Sequence, residues 1–283
     1  MDRAEVPDLE DDPLADVEDE EFEGKKRVVD VLYPIGFMIL FLVAWQAIVR
    51  ILDIQQIIVP PPTDVAASLV EDWSYLLYHT WITGVEVFLG FLASAVLGVP
   101  AGIMLVWSRT LERTLMPIFV TSQTIPKIAI APLFIIWFGI GLLPKVIVSF
   151  LIAFFPVVIS TSVGLRTVEP EMIDLIHSMN ASKWQVFTKV RIPNSLPFVF
   201  SGLKIATAFA TVGAVVGEFV GSDKGLGFVL IVSNSMLETP QLFAALIPLS
   251  LIGILLYLVV AKLEKVLIPW DVAVRGEDTM MAM

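Results

Sequence analysis

Long apolar runs separated by short polar stretches dominate this chain. Six of the runs are long enough to cross a hydrocarbon core of ~30 Å as helices, because a helix rises 1.5 Å per residue. They cover residues 31–51, 80–107, 115–144, 145–162, 198–221 and 242–263. The pattern predicts an all-α membrane protein with six transmembrane helices.

Three shorter segments are amphipathic or broken by turn residues. Residues 59–73, VPPPTDVAASLVEDW, predict a proline-rich turn that leads into a short helix capped by Thr63 or Asp64. Residues 228–237 predict another short amphipathic helix after the turn GSDKGLG. The third segment, residues 169–197, lies between the fourth and fifth spans and is amphipathic, and turn residues divide it into helices that are each too short to cross a bilayer.

The pattern within residues 169–197 predicts two short helices joined by a bend. Pro170 suits the first turn of a helix, where its missing N–H leaves no bond unmade. Asn180 tolerates the left-handed conformation that often ends a helix. Ser182 and Gln185 have the spacing of a capping box, which begins the second helix. We expect Pro193 to limit the length of that helix.

Basic residues predict the orientation of the spans, because they are more frequent in cytoplasmic loops. One side receives residues 25–27, Arg109, Arg113, Arg166, Lys183, Lys189, Arg191, Lys262, Lys265 and Arg275. The other side has Arg50, Lys145 and Lys224. Six spans with this bias place both termini and residues 169–197 in the cytoplasm.

Composition agrees with a membrane protein, and the net charge comes from one end. The chain is 57% hydrophobic and has a net charge of −11, with a mean hydropathy of +0.83. Residues 1–23 contain 12 acidic residues and one arginine, which account for the whole net charge. A segment so acidic and so poor in apolar groups is predicted to be disordered.

Residues 169–197 also resemble the coupling loop of ABC-importer permeases, which reads E-A-A, three residues, Gly, nine residues, I-x-L-P. Asp174-Leu175-Ile176 stands at E-A-A, Asn180 at the glycine, and residues 190–193 at I-x-L-P. The resemblance implies that the loop docks an ATPase subunit, and that Trp184 and Phe187 enter its groove. The implied coupling residues are Asp174, Leu175, Ile176, Asn180, Ala181, Trp184, Val190 and Pro193. A membrane-surface helix without a partner is the alternative interpretation.

A wider resemblance, over residues 79–267, is to permeases of the nitrate, sulfonate and taurine branch of ABC importers. It is carried by TIPKIAIAPLFIIWFGIG and GLKIATAFATVGAVVGEFVGSDKGLGFVL, among other segments. It implies a MetI-like fold in the cell membrane, a second permease copy, two ABC ATPases, an external solute-binding protein and surrounding lipid, with no role for nucleic acid. The branch also includes permeases for thiamine precursors and riboflavin, so the solute stays open.

Polar groups inside the spans are candidates for the translocation pathway, because intramembrane charges need a partner or water. Glu86 and Lys127 are hypothesised to pair, the alternative being that each reaches a membrane interface. Pro126 and Pro132 are expected to kink the third span. The candidate pathway residues are Ser122, Gln123, Thr124, Lys127, Glu86 and Glu218.

Glycines spaced four residues apart occur in two spans, at Gly98 and Gly102 and at Gly213, Gly217 and Gly221. Small residues at this spacing let helix backbones approach closely. Packing inside one subunit is favoured over a face between subunits.

The motifs argue against catalysis by this chain. It has two histidines, no cysteine, no metal-ligand cluster and no G-x-x-x-x-G-K-[ST] phosphate loop. No cofactor is therefore expected on this chain, and ATP-Mg is expected on partner subunits. An ion-coupled secondary transporter is the alternative function.

The expected organisation has four parts. They are an acidic tail over residues 1–27, a first span with an external segment over 28–78, a permease core over 79–267 and a C-terminal tail over 268–283.

Overall fold

The computed structural model describes residues 13–270, with side chains described from residue 32 onward except at positions 109 and 123. This part of the chain is a bundle of helices. They are α1 (Pro13–Ile51), α2 (Pro62–Glu71), α3 (Trp73–Trp107), α4 (Arg109–Thr124), α5 (Lys127–Phe138), α6 (Leu142–Gly164), α7 (Pro170–Ser178), α8 (Lys183–Val186), α9 (Ile192–Gly221), α10 (Leu226–Met236) and α11 (Thr239–Leu267). A π-helical segment, Phe187–Arg191, joins α8 to α9.

Within the described residues, five helical stretches are long and apolar enough to cross a membrane. A sixth span results if α4 and α5 count as one. They meet at 94° across the break that contains Ile125 and Pro126. Ile125 is extended (φ −70°, ψ 124°), as a residue before proline prefers to be. The third span is therefore sharply broken, and Pro132 lies inside α5.

Helix α6 is the centre of the bundle and packs most extensively on α9 and α3. Glycines make this packing close. A Cβ atom built on Gly213 would lie 2.5 Å from the Ser149 Cα atom, and one on Gly217 would lie 2.9 Å from the Lys145 Cα atom. On α3, a Cβ atom at Gly102 would lie 2.8 Å from the Val158 carbonyl oxygen. The prediction that these glycines pack helices inside one subunit is confirmed.

The hydrophobic core lies where α3, α6 and α9 meet. Val87, Val157 and Ala210 are each fully buried there. Helix α1 lies at the edge, where Trp45 contacts Phe243 of α11 with ring centroids 5.8 Å apart. The exposed apolar surface of α1 is what a lipid-facing span requires.

Helix α9 extends further than expected at its N-terminal end. We expected Pro193 to end the preceding short helix, but the helical stretch runs without a break over Lys183–Gly221. Pro193 cannot donate to the carbonyl four residues earlier. The π-helical segment immediately before it changes the hydrogen-bond register, which accommodates the missing donor. The expected limit at Pro193 is wrong.

Two further boundaries differ from expectation. Helix α1 begins at Pro13, so the acidic stretch expected to be disordered over residues 1–27 is helical from that point. Extending an existing helix adds one hydrogen bond per residue and avoids the unfavourable nucleation step. Residues 1–12 and 271–283 lie outside the described residues. Helix α2 is preceded by Pro61 as its N-cap, so the expected caps, Thr63 and Asp64, lie in its first turn.

Candidate functional site

The loop between α6 and α9 has the bend that the sequence predicts. Pro170 is the first residue of α7, and Asn180 follows the helix with a φ of 61°. The Asn180 N–H donates to the His177 carbonyl (2.9 Å), and the Ala181 N–H donates to the Ile176 carbonyl (3.3 Å). This pair of bonds is a Schellman motif, which requires a left-handed residue at position 180.

The capping box that begins α8 is also present. The Gln185 N–H donates to Ser182 Oγ (3.3 Å), and the Ser182 N–H donates to Gln185 Oε1 (2.8 Å). Both bonds satisfy backbone donors at the helix start. The two caps fix the direction in which α7 and α8 leave the bend.

The loop carries large apolar side chains that the subunit does not cover. Met172 is 48% exposed, Leu175 59%, Met179 75% and Trp184 62%. We call these four residues the exposed ridge. Asp174 is exposed beside the ridge, and Ile176, Ala181, Val190 and Pro193 are half-buried. Exposed apolar groups on a polar loop are typical of a surface that binds another molecule.

Phe187 does not belong to the exposed ridge. It is buried, and its ring packs edge-on against Trp107 at the end of α3, with centroids 4.9 Å apart. Trp184 contacts the same indole at 5.8 Å. The expectation that Phe187 enters a partner's groove is therefore wrong, because Phe187 instead holds the loop against α3.

The buried charges form a different pair from the one hypothesised. Glu86 Oε1 lies 2.5 Å from Lys145 Nζ, and both side chains are buried (0% and 7% exposed). Lys127 instead lies over the Phe155 ring, 4.5 Å from its centroid. The Glu86–Lys127 hypothesis is wrong, because Glu86 pairs with Lys145, near the start of α6, and Lys127 contacts an aromatic ring instead. Close glycine packing between α6 and α9 brings Lys145 to the carboxylates.

Side chains of α3 and α9 bind the N–H group of the α10 cap, Gly225, and the first two N–H groups of α10. His79 Nδ1 accepts from the Gly225 N–H at 2.8 Å, and Thr83 Oγ1 accepts from the Leu226 N–H at 2.7 Å. Glu218 accepts from the Gly227 N–H and from the Thr83 hydroxyl, at 2.6 Å. A carboxylate at a helix N-terminus is stabilised by the helix dipole.

Lys145 links this arrangement to the neighbouring turn, because its Nζ donates to Ser222 Oγ at 2.9 Å. The Glu86 carboxyl group also lies near that of Glu218, and the two repel each other when both are charged. We call His79, Thr83, Glu86, Lys145 and Glu218 the outer clamp. Glu86 and Glu218 are 0% and 1% exposed, so in this conformation neither carboxylate reaches a surface.

The other candidate pathway residues lie beside the break between α4 and α5. Ser122 donates to the Phe119 carbonyl (2.8 Å), and Thr124 donates to the Thr121 carbonyl (2.7 Å). The side chain of Gln123 lies outside the described residues. No hydrogen bond or ion pair among the described side chains joins this group to Glu86 or Glu218. The candidate pathway residues are thus two separate groups.

Sequence reasoning missed three members of the outer clamp, His79, Thr83 and Lys145. The available signal was the glycine spacing of α9, which brings α6 within contact distance and so places Lys145 beside Glu218. Sequence reasoning also missed the Lys204–Glu264 ion pair (2.5 Å), which joins α9 to α11. Among the residues described, no cluster of three or more His, Cys, Asp or Glu side chains could hold a metal ion.

Residues 94–270 match the family of binding-protein-dependent transport system inner membrane components. The chain belongs to this family. The formylaminopyrimidine transport permease protein ThiX of Halalkalibacterium halodurans is 35% identical over 247 residues, which cover 87% of this chain and 98% of the relative. The riboflavin transport system permease protein RibX of Chloroflexus aurantiacus is 38% identical over 240 residues, which cover 84% and 89%.

The permease also has the fold of a solved transporter. It matches a chain of the MetNI methionine ABC transporter, in an inward-facing conformation, with a TM-score of 0.59 and 21% identity. The match covers 68% of the permease and 95% of that chain. The chain is thus an ABC-importer permease subunit with a MetI-like, all-helical fold. The comparisons give no support for an ion-coupled secondary transporter.

Proposed function

We propose that the permease works as a pair of copies with two ABC ATPase subunits and an external solute-binding protein. In this proposal the ATPases bind and hydrolyse ATP-Mg, and the permease pair supplies the pathway. Movement of the loop over residues 169–197 switches the pathway between outward and inward access. The permease thereby acts as a two-state element whose equilibrium its partners shift.

The exposed ridge is the observation that carries this proposal. Leu175 and Met179 are four residues apart on one face of α7, and Trp184 follows beyond a bend that two caps define. Burying one large aliphatic side chain contributes roughly 1.5–3 kcal/mol. A partner groove that covers this ridge would bind strongly and in one orientation.

Orientation follows from charge and span number. If α4 and α5 together cross the membrane once, six spans place both termini on the same side. Lys183, Lys189 and Arg191 lie on the loop itself, and clustered basic residues favour the cytoplasm. The ridge therefore faces the compartment that supplies ATP.

The proposed solute is a small heterocyclic compound of the pyrimidine or flavin class. Two relatives that match most of the chain, ThiX and RibX, are named for transport of a formylaminopyrimidine and of riboflavin. Sulfonates and taurine, which the sequence resemblance also allows, are the second candidates.

The test compares Leu175→Asp with Ile58→Asp, in full-length permease co-expressed and purified with its proposed partner ABC ATPase. The two side chains are similarly exposed, 59% and 66%, but Ile58 lies in the turn before α2. Leu175→Asp should lower the amount of co-purified ATPase about tenfold or more, whereas Ile58→Asp should not. Equal ATPase retention by both variants would show that the ridge is not the docking surface.

A further inference from the structure

A cavity of about 520 Å³ lies on the opposite side of α7 from the exposed ridge. It opens between α7, the end of α3 and the segment that leads into α9. The residues that matter for its chemistry are Trp107, Ile173, His177, Lys183, Phe187 and Arg191.

The cavity is positively charged, and its two cationic side chains form no ion pair with the described residues. Lys183 and Arg191 both line it, and no acidic residue does. Among the described side chains, neither makes an ion pair or a side-chain hydrogen bond. His177 adds a group that can donate or accept a hydrogen bond. Two unpaired cations in one half-enclosed cavity favour an anionic ligand such as a phosphate group.

An apolar groove of about 330 Å³ adjoins the cavity. The two share Trp107 and Phe187, Trp184 also lines the groove, and the groove continues along α3 past Met104 and Ile103 to Pro100. Pro100 to Trp107 spans ~10 Å at 1.5 Å per residue, which is two turns into the membrane-spanning helix. Trp107 stands at the boundary, in the position that interfacial tryptophans prefer.

We propose that the cavity and groove together bind one anionic phospholipid. Its phosphate lies between Lys183 and Arg191, and an acyl chain lies along α3 against Trp107 and Met104. A soluble anion would leave the apolar groove empty. A zwitterionic lipid would bring its own ammonium group to a cavity that no acidic residue lines. The anionic lipid matches both parts of the surface.

This site shares one residue, Trp184, with the ridge proposed to dock an ATPase, because Trp184 also lines the groove; the other ridge residues lie outside it. At 3.6 residues per turn, Ile173 and His177 lie on one face of α7, while Leu175 and Met179 lie on another. One short helix would therefore contact lipid on one side and a partner on the other. The lipid site does not depend on the ATPase proposal, and each has its own test.

The experiment measures lipid binding to the delipidated full-length permease by native mass spectrometry. Dioleoylphosphatidylglycerol and dioleoylphosphatidylcholine are titrated separately. We expect Lys183→Gln and Arg191→Gln each to weaken the binding of phosphatidylglycerol about fivefold, and the double variant about 25-fold. Binding of phosphatidylcholine should change less than twofold.

Lys189→Gln is the matched control, because it removes the same charge from the same segment but lies outside the cavity. It should leave phosphatidylglycerol binding unchanged, and Lys183→Arg should retain it. Equal weakening by Lys189→Gln and Lys183→Gln would overturn the site in favour of general attraction to basic residues. Complete displacement of the lipid by inorganic phosphate or ATP would overturn the lipid assignment.

Discussion

Replacing Lys145 with methionine should destabilise the permease severely, because it removes the cation from the outer clamp. Glu86 and Glu218 would remain buried within reach of each other, without the ammonium group that lies 2.5 Å from Glu86. Methionine has a similar length and no charge, so the change tests the ion pair rather than the volume.

The size of the expected loss in stability follows from the burial of the ion pair. Breaking a buried ion pair by removing one partner costs about 3–5 kcal/mol, whereas replacing both partners is often nearly neutral. Adding Glu86→Gln to Lys145→Met should therefore recover at least ~2 kcal/mol. Glu218 would keep its donors from Thr83 and Gly227, so the remaining carboxylate is still hydrogen-bonded.

The assay is thermal stability of the purified permease, measured as the temperature at which half of the protein no longer elutes as a single species. Lys127→Met is the matched control. Lys127 contacts the Phe155 ring, and such an interaction contributes roughly 0.5–2 kcal/mol. Lys127→Met should lower stability less than Lys145→Met, and Glu86→Gln should not rescue it.

Two results would contradict this reasoning. Strictly additive losses for Glu86→Gln and Lys145→Met would mean that the two groups do not interact. Rescue of Lys127→Met by Glu86→Gln would mean that Glu86 interacts with Lys127 rather than with Lys145.

Two other substitutions test the bend and the helix packing. The Asn180→Gly variant should still bind the ATPase and transport solute, whereas Asn180→Val should do neither, because a β-branched residue resists a φ of 61°. Co-purification of the ATPase and solute uptake measure this, and an active Asn180→Val variant would refute the docking role of the bend. Gly213→Ala should lower the free energy of unfolding by about 1–3 kcal/mol through overpacking, whereas Gly253→Ala should not, because its new Cβ atom would lie 3.4 Å from its nearest neighbour. Equal shifts of the unfolding temperature in the two variants would contradict the close contact at Gly213.

Much of the fold could be predicted from sequence because its signals are local. Apolar runs identify most of the spans, and the caps at Asn180 and Ser182 depend on residues within a few positions of each other. The break at Pro126 was only partly predictable. Proline shows where a hydrogen bond is lost, but the angle between α4 and α5 depends on what each helix packs against.

The outer clamp was harder to predict because its members are far apart in sequence. Thr83 and Leu226 are 143 residues apart, and no local pattern sets which lysine meets Glu86. The register of α6 against α9 decides this, through glycine contacts whose partners the sequence does not identify. Pro193 shows the converse, since a strong local signal was overridden by a change of helical register just before it.

The unbroken helical stretch from Lys183 to Gly221 connects the two ends of the subunit, so that it could move as one rigid lever. Its 39 residues amount to ~58 Å at 1.5 Å per residue. If the lever tilts by ~10° about its middle, each end is displaced by ~5 Å. Glu218, near the far end, holds the start of α10, so a push on the loop would shift the turn at residues 222–227 without any relay of side-chain switches. In the proposed mechanism, a movement of the loop would therefore reach this turn through the helical stretch itself, including the π-helical segment Phe187–Arg191.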